Sequence, residues 1–294
     1  MVVKDERILV NQYLITDDTR ELMQIPPEIR KCVAFVAKDT NGQKHFVGTC
    51  FFVCQPAAVS GRFHVYAVTA KHLFDGMLDE VDDVWIRLNE RNGTEAWVRS
   101  RLSKWVSHPT DDSVDVAVTR VGALHESWDH LAFPLDSAVT PERIREFEID
   151  AGEEIFLPGL FTERFGKSKN IPIIRVGNIA AMPEEKVYFN GKYLDAYLVE
   201  SRSIAGLSGS PVFINTGSVR SVSRTFVSLE SPRFLLLGLM KGHWDATQPE
   251  RLNMGVAVVV PMEKVVETLR HPHILQEDDF ENRQLLKQYQ HKDD

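Results

Sequence analysis

The sequence has little of what several large protein classes require. Its 294 residues include only three cysteines, Cys32, Cys50 and Cys54, an odd number and too few for a disulfide-stapled secreted scaffold. Cys50 and Cys54 fall in one β-like run, residues 48–54, where residues four apart share a face about 13 Å apart, beyond disulfide reach. All three are expected to be small buried apolar side chains. No apolar run approaches the roughly 20 residues that span a bilayer; the longest, 256–261 and 234–237, are strand-sized. Residues 1–7 carry two acids and two bases where a secretory leader would be apolar, so the expectation is a cytoplasmic protein with no membrane partner. Long basic runs are also missing. Lysine plus arginine number 34 against 42 for aspartate plus glutamate, a formal charge of −8, which excludes a protein that grips nucleic acid by its phosphates.

What is present is ordinary for a globular chain, 43% hydrophobic and 26% charged, and long enough for two domains or one large all-β unit. Residues 1–30 read as an irregular N-terminal extension containing Pro26-Pro27, which blocks a helix. Short β-rich runs follow at 32–38, 45–53, 63–69, 84–88, 96–105 and 115–121. After a connector at 126–150, with helical turns at 141–146, more runs come at 154–158, 171–181, 187–200, 211–214, 226–229 with 234–240, and 254–260. Asp39-Thr40-Asn41-Gly42 and Asn190-Gly191 are hairpin signals. Six runs, a connector and six more imply an all-β fold of two six-stranded antiparallel barrels, 31–125 and 151–270. The second would end in a short C-terminal helix, where Met262, Val265, Val266 and Leu269 recur at helical spacing. Residues 271–294 form a polar tail, with a frayed helix at 281–290.

Three segments point to chemistry. Val68-Thr69-Ala70-Lys71-His72 is a β-run ending in a histidine. Asp115-Val116-Ala117-Val118, 43 residues after that histidine, opens an alternating strand with an aspartate. Gly206-Leu207-Ser208-Gly209-Ser210-Pro211, with its serine 93 residues further on, is a glycine-rich turn around a serine. A serine hydroxyl is a weak nucleophile and needs a base such as an imidazole. The imidazole in turn needs a carboxylate to hold its tautomer. The oxyanion that forms needs aimed N–H groups, which glycines let the backbone supply. Each segment alone has an ordinary structural reading: a histidine at a strand end, a solvated aspartate, a plain loop. Their order, each on its own β-element, gives the set its meaning.

These residues, with Gly48-Thr49-Cys50-Phe51-Phe52-Val53, resemble the chymotrypsin/trypsin-like serine proteases over roughly residues 30–270. The likeness is to the intracellular bacterial type, similar to the HtrA and glutamyl-endopeptidase branches, here without a PDZ module. The resemblance implies Ser208 as nucleophile, His72 as general base and acid, and Asp115 as the orienting carboxylate. It places the backbone N–H groups of Gly206 and Ser208 in an oxyanion hole and the site between the two barrels, acting on a polypeptide substrate with no metal or organic cofactor. Leu207 stands where secreted zymogen-derived members carry an aspartate, so a regulatory protein partner or residues 1–30 would order the oxyanion loop instead. Arg202, Lys241, Gly242 and His243 are expected to bind substrate, Arg202 at the base of a cationic pocket that favours an acidic side chain. The other reading of Arg202 is a solvated loop residue. The alternative function is a protease-like sensor or binding module whose triad stays latent until a partner binds; an esterase is a third.

Other candidates read as structural. His271 and His273 are expected at the surface, and Asp79, Glu80, Asp82 and Asp83 in a solvated turn. Residues 220–224 read as a hairpin tip.

Overall fold

The computed structural model describes residues 25–77, 83–122, 125–201, 205–216, 219–222, 225–228, 234–245 and 253–290. Asn41 (φ 55°) and Gly42 (φ 83°) make the tight turn their types favour, with the Gly42 amide donating to Asp39 Oδ1 at 2.7 Å. That turn joins β1 (Val33–Thr40) to β2 (Gln43–Pro56). β3 (Phe63–Thr69), β4 (Asp83–Asn89), β5 (Glu95–Arg101), β6 (Val106–Ser107), β7 (Ala117–Val121) and β8 (Phe133–Pro134) complete the first sheet. Its order is β5-β4-β1-β2-β3-β7-β6, with β8 parallel to β2.

This sheet is open among the described residues, not the closed six-stranded barrel expected. The run 96–105 does not form one strand. It turns at Leu102–Lys104, which lets Leu102 and Trp105, three residues apart, enter the same core, and leaves only the two-residue β6 to pair with β7. An alternating strand would have sent those two side chains to opposite faces.

The helix α1 (Pro141–Glu146) starts at Thr140, whose Oγ1 accepts from the Arg143 amide. Beyond it lie β9 (Glu154–Gly159), β10 (Ile173–Ala181), β11 (Val187–Phe189), β12 (Lys192–Leu194), β13 (Tyr197–Glu200) and β14 (Pro211–Asn215). The remaining strands are β15 (Val219–Val222), β16 (Thr225–Ser228), β17 (Phe234–Asp245) and β18 (Asn253–Pro261). Six of these close the expected second barrel, β10-β13-β18-β17-β14-β9. The Asn190-Gly191 turn connects the separate hairpin β11–β12, and β15–β16 form another, the insertion expected around 220–224.

Strand β2 is buried on both faces, and its alternation decides which core each side chain joins. Cys50, Phe52 and Cys54 face the interior of the first sheet; Phe51 and Val53 face a central core shared with the barrel. There Phe213 stacks on Phe156 at 5.2 Å and meets Phe133 edge-on at 4.9 Å. A third core fills the barrel. The three cysteines are buried, as their type suggests.

The chain then forms α2 (Met262–Leu269), at the helical spacing read from sequence, and α3 (Pro272–Gln290). Over Pro272–Gln290, α3 corrects the expected polar tail of 271–294, for which the sequence suggests a helix only at 281–290. It is held by Ile274, fully buried, and by charges. Asp278 accepts from Tyr66 Oη at 2.6 Å and from Arg120 Nε at 2.9 Å, while Glu281 meets His64 Nδ1 at 2.6 Å and Arg120. Among the described residues, no helix is long and apolar enough to cross a membrane.

Candidate active site

Strands β3 and β7 pair antiparallel with Thr69 opposite Ala117. His72 follows β3 in a tight helical turn, Lys71–Phe74, and Asp115 precedes β7 by two residues. The pairing therefore sets the two side by side. Asp115 Oδ1 accepts from the His72 backbone amide at 2.9 Å, and Oδ2 lies 2.7 Å from His72 Nδ1. With the carboxylate ionised, Nδ1 carries the proton and Nε2 is left as the basic nitrogen. Asp115 is buried, 5% exposed. Burial pushes its carboxyl up, but the hydrogen bond and charge of His72, then Lys241, outweigh that and hold it at about 2.

Ser208 comes from the second barrel, in the turn before β14. Gly206 (φ 99°) and Gly209 (φ 84°) take left-handed backbone that glycine adopts without strain. A Cβ at Gly209 would also run into the Thr49 carbonyl and Thr69 Oγ1. Leu207 between them is fully buried in the barrel core and so anchors the turn from beneath. The turn is fixed from outside as well: the Gly209 amide donates to Met240 O at 2.8 Å, and the Ser208 carbonyl accepts from the Thr49 amide at 2.9 Å. Among the described residues the amides of Gly206 and Ser208 donate to no protein acceptor. Ser208 Oγ donates to the Lys241 carbonyl at 3.2 Å.

His72, Asp115 and Ser208 line one cleft of about 880 Å³, together with Lys241, Gly242, His243 and the hairpin β11–β12. Within this cleft Lys241 Nζ donates to Asp115 Oδ2 at 2.8 Å. Arg202 lies outside the described residues, as do Asp79, Glu80 and Asp82. Asp83 pairs with Arg99, and His273 lies 3.5 Å from Glu277. Among the described residues no group of three or more histidine, cysteine or acidic side chains gathers as it would around a metal.

Sequence reading missed two residues of this site. Thr49 was part of a motif but carried no role; its hydroxyl and amide bind the serine turn. Lys241 was read as a cation for substrate, because nothing local announces a partner 126 positions away.

No protein-family model and no curated protein matches the chain. Among solved structures, it is similar to the MamO protease domain from Magnetospirillum magneticum in its apo form. That match has TM-score 0.51 and 14% identity, over 83% of this chain and 99% of that one. It is also similar to Deg5 (TM-score 0.49, 16% identity, 81% and 87%) and to an inactive form of Rv3671c from M. tuberculosis (TM-score 0.41, 17% identity, 82% and 87%). At these identities the first likeness is one of fold alone: a closed six-stranded barrel beside an open sheet, similar to the fold of that protease domain.

Proposed function

We propose that this chain is a serine endopeptidase that cuts polypeptides through an acyl-enzyme. The observation that carries this reading is the His72–Asp115 pair, 2.7 Å apart, in one cleft with Ser208. In the reaction Ser208 Oγ leaves the Lys241 carbonyl and turns to His72 Nε2. It gives up its proton there as it attacks the scissile carbonyl. The unoccupied amides of Gly206 and Ser208 receive the oxyanion, each worth about 3 kcal/mol in the transition state. His72 then passes the proton to the leaving amine, and water repeats the sequence to release the acid. An acidic side chain before the cut remains the proposed preference, now resting on Arg202 and His243, since Lys241 is committed to Asp115. The three buried thiols fit a reducing, cytoplasmic setting.

A fluorophosphonate probe tests the reading. Labelling of the wild-type chain that is lost in Ser208→Ala supports it; no labelling of wild type under any condition opposes it. One observation favours the second reading, a latent sensor or binding module: the Ser208 hydroxyl donates to the Lys241 carbonyl. In that case labelling would require an added regulatory protein partner.

A further inference from the structure

Lys241 touches both halves of the cleft. β17 and β18 slip register here, Met240 opposite Val259 and Gly242 opposite Val258, so Lys241 is the extra residue of a β-bulge. A bulge takes one residue out of the ladder and re-aims its side chain. The carbonyl it frees accepts from Ser208 Oγ at 3.2 Å. The side chain, 15% exposed, crosses to the first sheet and puts Nζ 2.8 Å from Asp115 Oδ2. Phe189 of the hairpin β11–β12 flanks it, with Nζ 5.9 Å from the ring centroid. One carboxylate oxygen thus takes two donors, His72 Nδ1 at 2.7 Å and Lys241 Nζ at 2.8 Å.

Resting on the protease reading above, we infer that Lys241 is a positioning residue of the site. It ties the acid–base pair of the first sheet to the bulge beside Ser208, and it draws part of the Asp115 charge away from His72. The second effect follows from where the charges stand. Lining the cleft with His72 are Lys71 and Asp75 from its own turn, Asp112 and Asp115 from the loop before β7, Lys192 from the hairpin, and Lys241 and His243 from β17. Lys71 is turned to Asp112 at 2.6 Å and Lys192 lies 3.9 Å from the same carboxylate. Lys241 is the lysine on Asp115. Its charge acts in a buried place, where screening is weak, and opposes the build-up of a second positive charge on the imidazole.

The test compares wild type with Lys241→Met, which keeps length without charge, and Lys241→Arg, which keeps charge. Two readouts are followed against pH: the ring-proton NMR signal of His72, assigned with His72→Gln, and the rate of fluorophosphonate labelling. In Lys241→Met the acid limb of labelling and the ring signal that tracks it both move to higher pH, because a cation beside Asp115 is gone. Lys241→Arg returns both toward wild type. Should the methionine variant misfold, Lys241→Gln replaces it; failure of both neutral variants to fold overturns the inference, because the role is then structural. An unmoved ring midpoint in a folded neutral variant also overturns it, whether or not the chain labels. If wild type never labels yet the midpoint moves, the protease reading falls and the charge role of Lys241 stands.

Discussion

Thr49 Oγ1 donates to the Gly206 carbonyl at 2.8 Å while accepting from the Leu160 amide at 2.9 Å. A hydroxyl of β2 in the first sheet therefore holds two loops of the second barrel, one of them the turn that presents Ser208. Thr49→Val keeps the shape and removes both bonds, leaving the half-buried Gly206 carbonyl and the buried Leu160 amide without these partners. It is expected to cost about 1–3 kcal/mol in urea unfolding and to slow probe labelling of Ser208. Thr49→Ser is expected to retain both properties. A valine variant that labels as fast as wild type would show that the turn holds its shape unaided.

On the proposed protease reading, the carboxylate of Asp115 sets rate as well as stability. Asp115→Asn is expected to slow acylation of Ser208 by about 10⁴-fold, since an amide presents the wrong hydrogen-bonding pattern to Nδ1. Its carboxyl sits at about 2 when folded, below the ordinary 3.8. The stability it contributes is therefore fully present above about pH 4 and lost as pH falls through 2, about 2 kcal/mol in all. Urea unfolding at pH 5 and at pH 2 should show the gap between wild type and the asparagine variant narrowing by that amount on acidification.

His130 gives the opposite charge type and a different window. It is buried and neutral, with Nε2 accepting from the Asn89 amide at 3.0 Å and Nδ1 lying 3.2 Å from the Lys31 carbonyl. Burial pulls it down from 6.5 to about 4. The unfolded chain takes up a proton there before the folded chain does, so stability falls as pH drops from 6.5 to 4, by about 3 kcal/mol. His130→Gln cannot take up that proton, and its unfolding free energy should be flatter across this window.

The attachment of α3 is testable in the same way. Asp278→Ala strips a partner from both Arg120 and Tyr66; Arg120 keeps Glu281, so the cost is that of lost hydrogen bonds, about 1–3 kcal/mol. Amide hydrogen exchange should speed up along α3 more than in the β17–β18 pair of the barrel. Uniform exchange in the variant would mean that Ile274 and Glu281 seat the helix without Asp278.

Much of this was legible along the chain, and the pattern of what was not is physical. Strand β3 was read to the residue, and the Asn41-Gly42 and Asn190-Gly191 turns formed where their types favour positive φ, because these are local preferences. The turn at Leu102–Lys104 was not legible. It depends on Leu102 and Trp105 finding one core, which only the assembled sheet defines. α3 was read as a frayed tail because its anchors, His64, Tyr66 and Arg120, lie more than 150 positions earlier. In the site, motifs carried His72, Asp115 and Ser208, while the uses of Thr49 and Lys241 are set by partners on the opposite sheet.

The grip of α3 has a mechanical corollary. Tyr66 and Arg120, which hold Asp278, sit directly opposite each other on β3 and β7, three register steps from Thr69 and Ala117, beyond which the imidazole and its carboxylate meet. The last helix is thus a clasp on two ribbons whose far ends lead to His72 and Asp115. A ligand that pried the clasp open would loosen the His72–Asp115 pair without entering the cleft.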